Sequence, residues 1–95
     1  MYGSVGRLQI KPGRLNDIKW VIQELEHVLG VIAMFLVGKD GSANEYCWTI
    51  VWADRDAHDA NANHLDFAAR NQRLLATLAS APEWHSGEVV YSIPR

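Results

Sequence analysis

The stretch Glu45–Asp54, EYCWTIVWAD, restricts what this chain can fold into more than any other. It contains no Gly or Pro, and Tyr46, Trp48, Ile50 and Trp52 fall at every second position. A period of two places those four on one face of a strand. The other face carries Cys47, Thr49, Val51 and Ala53 and is equally free of charge. An antiparallel strand in a small protein usually offers one polar face to water. This one has none to offer, so the sequence places it centrally, with the chain's own helices covering one side and a second copy of the chain as the simplest cover for the other. The bulkier Tyr46/Trp48/Ile50/Trp52 set is expected to line the larger void.

The flanking segments supply the partners of this strand. Tyr2–Ile10 reads as a first strand, stopped at Lys11-Pro12-Gly13 because Pro lacks a donor and Gly permits a turn. Leu15, Ile18, Ile22, Leu25 and Leu29 recur at steps of three and four, an amphipathic helix of about four turns ending at Gly30. The apolar run Val31–Val37 between two glycines reads as a buried strand. Asp40-Gly41 is a strong hairpin signal and pairs that run antiparallel with the Trp-rich strand. Residues Arg55–Asn63 are polar and Ala-rich, a short helix or a loose turn. From Leu65, the positions Phe67, Asn71, Leu74, Leu75 and Leu78 define a second long helix that Ala81-Pro82 ends. Glu83–His85 then reads as a connection, Ser86-Gly87 as a turn and Glu88–Ile93 as the last strand. The order β-α-β-β-α-β predicts an α+β, ferredoxin-like domain over residues 1–95, a four-stranded antiparallel sheet with both helices on one face.

Composition narrows the function classes. Nine basic residues against eleven acidic ones give a net charge of -2 without a basic cluster, so the footprint that nucleic-acid binding needs is missing. No apolar run approaches the ~18 residues of a membrane span, and no export signal is visible, so a soluble cytoplasmic protein is expected. Cys47 is the only cysteine, which excludes an internal disulfide and a Cys-based metal cluster. His58 and His64 are six apart, a spacing that gives no shared helix face for a metal.

The start YGSVGRLQIKPG, the strand YCWTIVWAD, the run DRDAHDANANHLDF and the closing EWHSGEVVYSI resemble the antibiotic biosynthesis monooxygenase-like family of the dimeric α+β barrel superfamily. That resemblance implies a homodimer in which two sheets pack face to face. It also implies a pocket for a small hydrophobic or aromatic ligand at the segment joining the Trp-rich strand to the last long helix, where a His precedes an apolar pair (His64-Leu65-Asp66-Phe67). The activity implied is cofactor-independent oxidation of an aromatic or quinol-type compound. His64 is then the base, with Asn63 and Trp52 as catalytic partners. Phe67 and Trp48 serve as walls, and Asn61 and Arg7 as polar anchors. The alternatives are that His64 only caps the helix start and that Arg7 reaches solvent along its stem. A non-catalytic binding or assembly module is the competing class. Haem binding is disfavoured, because the positions where haem-degrading members place the iron ligand hold Ala68, Ala69, Arg70 and Asn71.

Overall fold

The structure is a computed structural model and describes residues 1–94. Its elements are β1 (Tyr2–Gln9), α1 (Leu15–Glu24), β2 (Val31–Gly38), β3 (Glu45–Trp52), α2 (Arg55–Ala62), α3 (Phe67–Ala76) and β4 (Glu83–Glu88). The four strands form one antiparallel sheet in the order β2-β3-β1-β4. This is the expected ferredoxin-like α+β arrangement, with β3 in the interior of the sheet and an added short helix, α2. No helix among the described residues is long and apolar enough to cross a membrane.

The two faces of β3 separate cleanly. Trp48, Ile50 and Trp52 are 3%, 5% and 2% exposed and share one core with Tyr2 and Leu8 of β1, Ile18 and Val21 of α1, and Leu74 of α3. The Trp-bearing face is therefore the helix face. On the opposite face, cross-strand rows run Phe35–Thr49–Val5–His85 and Val37–Cys47–Arg7–Glu83. Phe35 and Val37 are 59% and 58% exposed there, and among the described residues nothing covers them.

Three boundaries differ from the sequence reading. The fourth strand is Glu83–Glu88, not Glu88–Ile93, and the supposed connection Glu83–His85 lies inside it. The register explains the shift. Trp84 stands opposite Gly6, where an added Cβ would lie 2.7–2.9 Å from the Trp84 ring. The missing side chain of Gly6 is the slot that receives the indole, and packing against Trp48 at 5.8 Å between ring centroids outweighs the stronger β-propensity of the Val and Tyr residues downstream. Beyond the strand, Val89 keeps one backbone bond to the Met1 carbonyl at 2.9 Å, and Val90, Tyr91 and Ile93 are exposed.

The first helix is also shorter than its hydrophobic period. After Glu24 the bonds Leu25 N–H to Ile22 O, Glu26 N–H to Gln23 O and Val28 N–H to Leu25 O are all three-residue closures. That tighter winding keeps Leu25 and Val28 against the core and turns Leu29 outward. The second long helix starts at Phe67 rather than Leu65, which is exposed. The segment after β3 is a true helix, α2, capped by Asp54, whose Oδ1 accepts from the Ala57 N–H at 2.8 Å. An ion pair between Arg73 and Glu24 ties α3 to α1.

Gly30 and Gly41 give a paired test. Both have positive φ, +90° and +80°, so alanine at either costs on the order of 1–2 kcal/mol in backbone conformation. Around Gly41 there is open space, whereas a Cβ on Gly30 would lie 2.4 Å from the Ala57 Cβ of α2. Gly30→Ala should lower the denaturation midpoint clearly more than Gly41→Ala in urea titrations. Equal losses would contradict the close approach of α2 to the helix-to-strand turn.

Candidate functional site

The site is built on the helix-facing side of β3 and β1. Trp48, Ile50 and Trp52 project from β3 at alternate positions. Ser4 and Ser86 stand opposite each other on β1 and β4, their hydroxyl oxygens 3.1 Å apart. Above them α1 contributes Val21 and Leu25, α2 contributes His58 and Asn61, and α3 contributes Phe67, Arg70, Asn71 and Leu74. Together with Trp84, these residues line a cavity of ≈ 310 Å³. That is near the lower end of small-molecule sites. Its walls are chiefly aromatic and aliphatic, and its charged and amide groups all come from α2 and α3.

Two buried atoms in this lining lack a partner: the indole nitrogens of Trp48 and Trp52. An indole N–H is a donor only, and leaving a buried donor unmade costs roughly 1–3 kcal/mol. Both tryptophans line the cavity, but the nitrogens themselves are closed to its open space.

His58 is the titratable ring at the site. It is only partly exposed. Its ring lies 4.9 Å from that of Tyr2 and 5.7 Å from that of Trp52, edge-on to the latter at 88°. His58 Nδ1 is 2.9 Å from Asp59 Oδ1. A carboxylate at that nitrogen favours the tautomer with the proton on Nδ1, which leaves Nε2 as a proton acceptor. Across the cavity mouth Arg70 Nη2 donates to Asn61 Oδ1 at 2.7 Å, joining α3 to α2.

Of the seven residues singled out from the sequence, Trp52, Trp48, Phe67 and Asn61 are brought together in the cavity wall. His64, Asn63 and Arg7 are not. α2 ends at Ala62, so Asn63 and His64 fall in the turn beyond it, both exposed. His64 Nδ1 accepts from the Asp66 backbone N–H at 3.1 Å, a local helix-start contact that uses the ring's free lone pair. Arg7 projects from the helix-free face of the sheet, 3.5 Å from Glu83, and lines a separate depression of ≈ 350 Å³ in which Lys39 is likewise paired, with Glu45 at 3.0 Å. Its cations already have acids, so that depression makes a poorer site despite its size. His58 and Arg70 were missed. Both sit in polar helical segments, and the signal for His58 was available: Ala57, His58, Asn61 and Ala62 share one face of a helix by their spacing. Among the described residues no three His, Cys, Asp or Glu side chains are grouped to hold a metal ion.

No protein-family model matches the sequence, and no curated protein matches it. Solved structures do match in fold. SnoaB, a cofactor-independent oxygenase from Streptomyces nogalater, superposes with a TM-score of 0.80 at 20% identity, over 99% of this chain and 97% of that one. A variant of the same protein reaches 0.85 at 16% identity over the same shares. The chain has the fold of the antibiotic biosynthesis monooxygenases. A structure bearing that family name gives 0.77 at 16% identity over 96% of this chain and 100% of that one. A conserved protein from Methanosarcina mazei gives 0.76 at 19% over 90% and 89%.

Gly6 tests the outer wall. Gly6→Ala should push the Trp84 ring off its seat and away from Trp48, at a cost on the order of 1 kcal/mol, and should change the near-ultraviolet circular dichroism of the aromatic side chains. An unchanged aromatic spectrum would contradict the Trp84–Gly6 contact.

Proposed function

We propose that this chain is a cofactor-independent monooxygenase for a small aromatic or quinol-type compound, working as a homodimer in the cavity between β3 and the helices. The observation that carries the reading is a cavity walled by two buried indoles, a phenyl ring and one imidazole, on a fold shared with an oxygenase described as cofactor-independent. An electron-rich phenol that loses its proton becomes a carbanion-like phenolate that reacts with dioxygen directly. One oxygen atom enters the ring as a new carbonyl and the other leaves as water, the substrate supplying all the electrons. The protein then has three tasks: take the proton, hold the flat ring, and donate to the oxygens on which charge develops.

His58 is the base in this reading. Its Nδ1 is engaged with Asp59, and it is the imidazole that lines the cavity. Trp52, Trp48 and Phe67 hold the ring, and the Asn61 amide, which lines the same cavity, donates to its oxygens. A haem-based alternative finds no histidine on α3, whose sequence is FAARNQRLLA.

The helix-free sheet face supports the homodimer. Val5, Phe35, Val37, Thr49 and Val51 form a contiguous, largely apolar surface, and such surfaces mark interfaces. A second copy presenting the same face would bury it, as two sheets stacked about 10 Å apart.

Two measurements test these claims. With a panel of quinols and hydroxylated polycyclic aromatics, oxygen uptake without added flavin or metal is expected. It should fall by at least roughly a hundredfold, the scale of general-base catalysis, in His58→Ala, and persist in His64→Ala. Loss in His64→Ala with retention in His58→Ala would overturn the assignment of the base. For assembly, Val51→Asp should give a folded monomer by light scattering. A wild-type monomer, or a Val51→Asp dimer, would contradict the sheet-to-sheet interface.

A further inference from the structure

Two side-chain amides line the cavity, Asn61 on α2 and Asn71 on α3, and one of them has a fixed orientation. Arg70 Nη2 donates to Asn61 Oδ1 at 2.7 Å. A guanidinium has only donors, so the atom it meets must be the amide oxygen; the flipped amide would set N–H against N–H. The Asn61 NH₂ is thereby turned away from Arg70. Asn61 makes no other side-chain hydrogen bond among the described residues. The partnerless side-chain atoms sealed from solvent there are the Trp48 and Trp52 nitrogens alone, so the Asn61 NH₂ is within reach of a bound molecule. Asn71 has no such tether and can present either end of its amide.

Arg70 is free for this task. It is half-buried and pairs with no carboxylate among the described residues, whereas Arg7, Arg14, Arg55 and Arg73 each do. From α3 it reaches instead to α2, where His58 and Asn61 are three residues apart and share a helix face. A hydrogen bond from a charged donor is among the stronger ones in a protein, and it polarises the amide it meets, which strengthens donation from the far N–H.

We infer that Arg70 is a positioning residue: by holding Asn61 Oδ1 it locks the amide as a fixed donor to a ligand oxygen in the cavity. This rests on the cavity being the ligand site, as proposed above, and gives Arg70 a part that runs through Asn61. A donor set before the ligand arrives needs no reorientation as charge develops on that oxygen. It is also selective, because a locked NH₂ accepts no proton and favours an oxygen that carries none, a carbonyl or a phenolate.

The test is a double-mutant cycle read by calorimetry with 1,4-naphthoquinone, whose oxygens only accept. Asn61→Ala should weaken its binding about fivefold, and Arg70→Met, which loses every donor, about threefold, both within the range of one hydrogen bond. The double variant should bind within about twofold of Asn61→Ala, since a residue acting through Asn61 has nothing left to position once the amide is gone. In NMR spectra of the complex, nuclear Overhauser contacts from the Asn61 NH₂ to the quinone should be present in the wild type. They should be lost in Arg70→Met, with the backbone amide pattern retained. Losses that multiply to about fifteenfold in the double variant, or contacts that persist in Arg70→Met, overturn the inference and leave the cavity reading standing. If the wild-type chain does not bind the quinone, both fall together.

Discussion

Two tryptophans on the core face of one strand set the terms for everything above them. Trp48 and Trp52 are almost wholly buried, and each brings a large apolar surface with one obligatory donor. Their burial anchors α1 and α3 to the sheet and supplies much of the core's apolar area. It also leaves two buried N–H groups without a partner among the described residues. A chain of 95 residues has little stability in reserve, so two unmatched donors are a substantial concession. A ligand seated against the indole rings would offset it, since anything that binds only the folded form stabilises that form. Core and site are thus two sides of the same residues.

The position of α2 follows from that arrangement. Asp54 caps the helix directly after β3, and the open backbone of Gly30 lets Ala57 approach. This carries His58 over Tyr2 and Trp52 and Asn61 toward Arg70. The turn at Asn63 and His64 then leads away from the cavity to α3. A histidine at the start of a helix and a histidine six residues earlier differ little in sequence. In space, one is at the cavity and the other is at the surface.

The sequence made the architecture legible where period and punctuation agreed. The alternation in β3, the Asp40-Gly41 hairpin and the apolar run of β2 were each readable from a few residues, and their order alone implied the sheet. It was less informative where a tertiary contact decides the boundary. The position of β4 depends on the Trp84 indole fitting over Gly6, a relation between residues 78 positions apart that no local pattern encodes. The end of α1 depends on a tightening of the helix that its three-and-four spacing does not reveal. At the site, the apolar walls Trp48, Trp52 and Phe67 were legible because aromatic side chains near a strand end announce a cavity. The polar groups were harder to read. Arg7 lies on a strand whose facing could not be deduced, and Arg70 and His58 are ordinary residues of polar helices until the fold turns them inward.

The exposed sheet face and the segment after β4 carry much of the exposed apolar surface. Val89 packs near Gly3 at the edge of that face, and the side chains that follow it are exposed. The same dimer that would cover Phe35 and Val37 is the natural place for these residues to find cover.

The central claim is that the cavity on β3 is where the molecule's ligand binds, against the two buried indoles. The chain has four tryptophans, so its indole N–H resonances can each be assigned in a ¹H–¹⁵N correlation spectrum. Adding 1,4-dihydroxynaphthalene under anaerobic conditions should move the Trp48 and Trp52 signals as its ring seats against their indoles, and leave that of Trp20, which is 69% exposed on α1, in place. Saturable binding that moves Trp20 or leaves Trp48 and Trp52 where they were would contradict it.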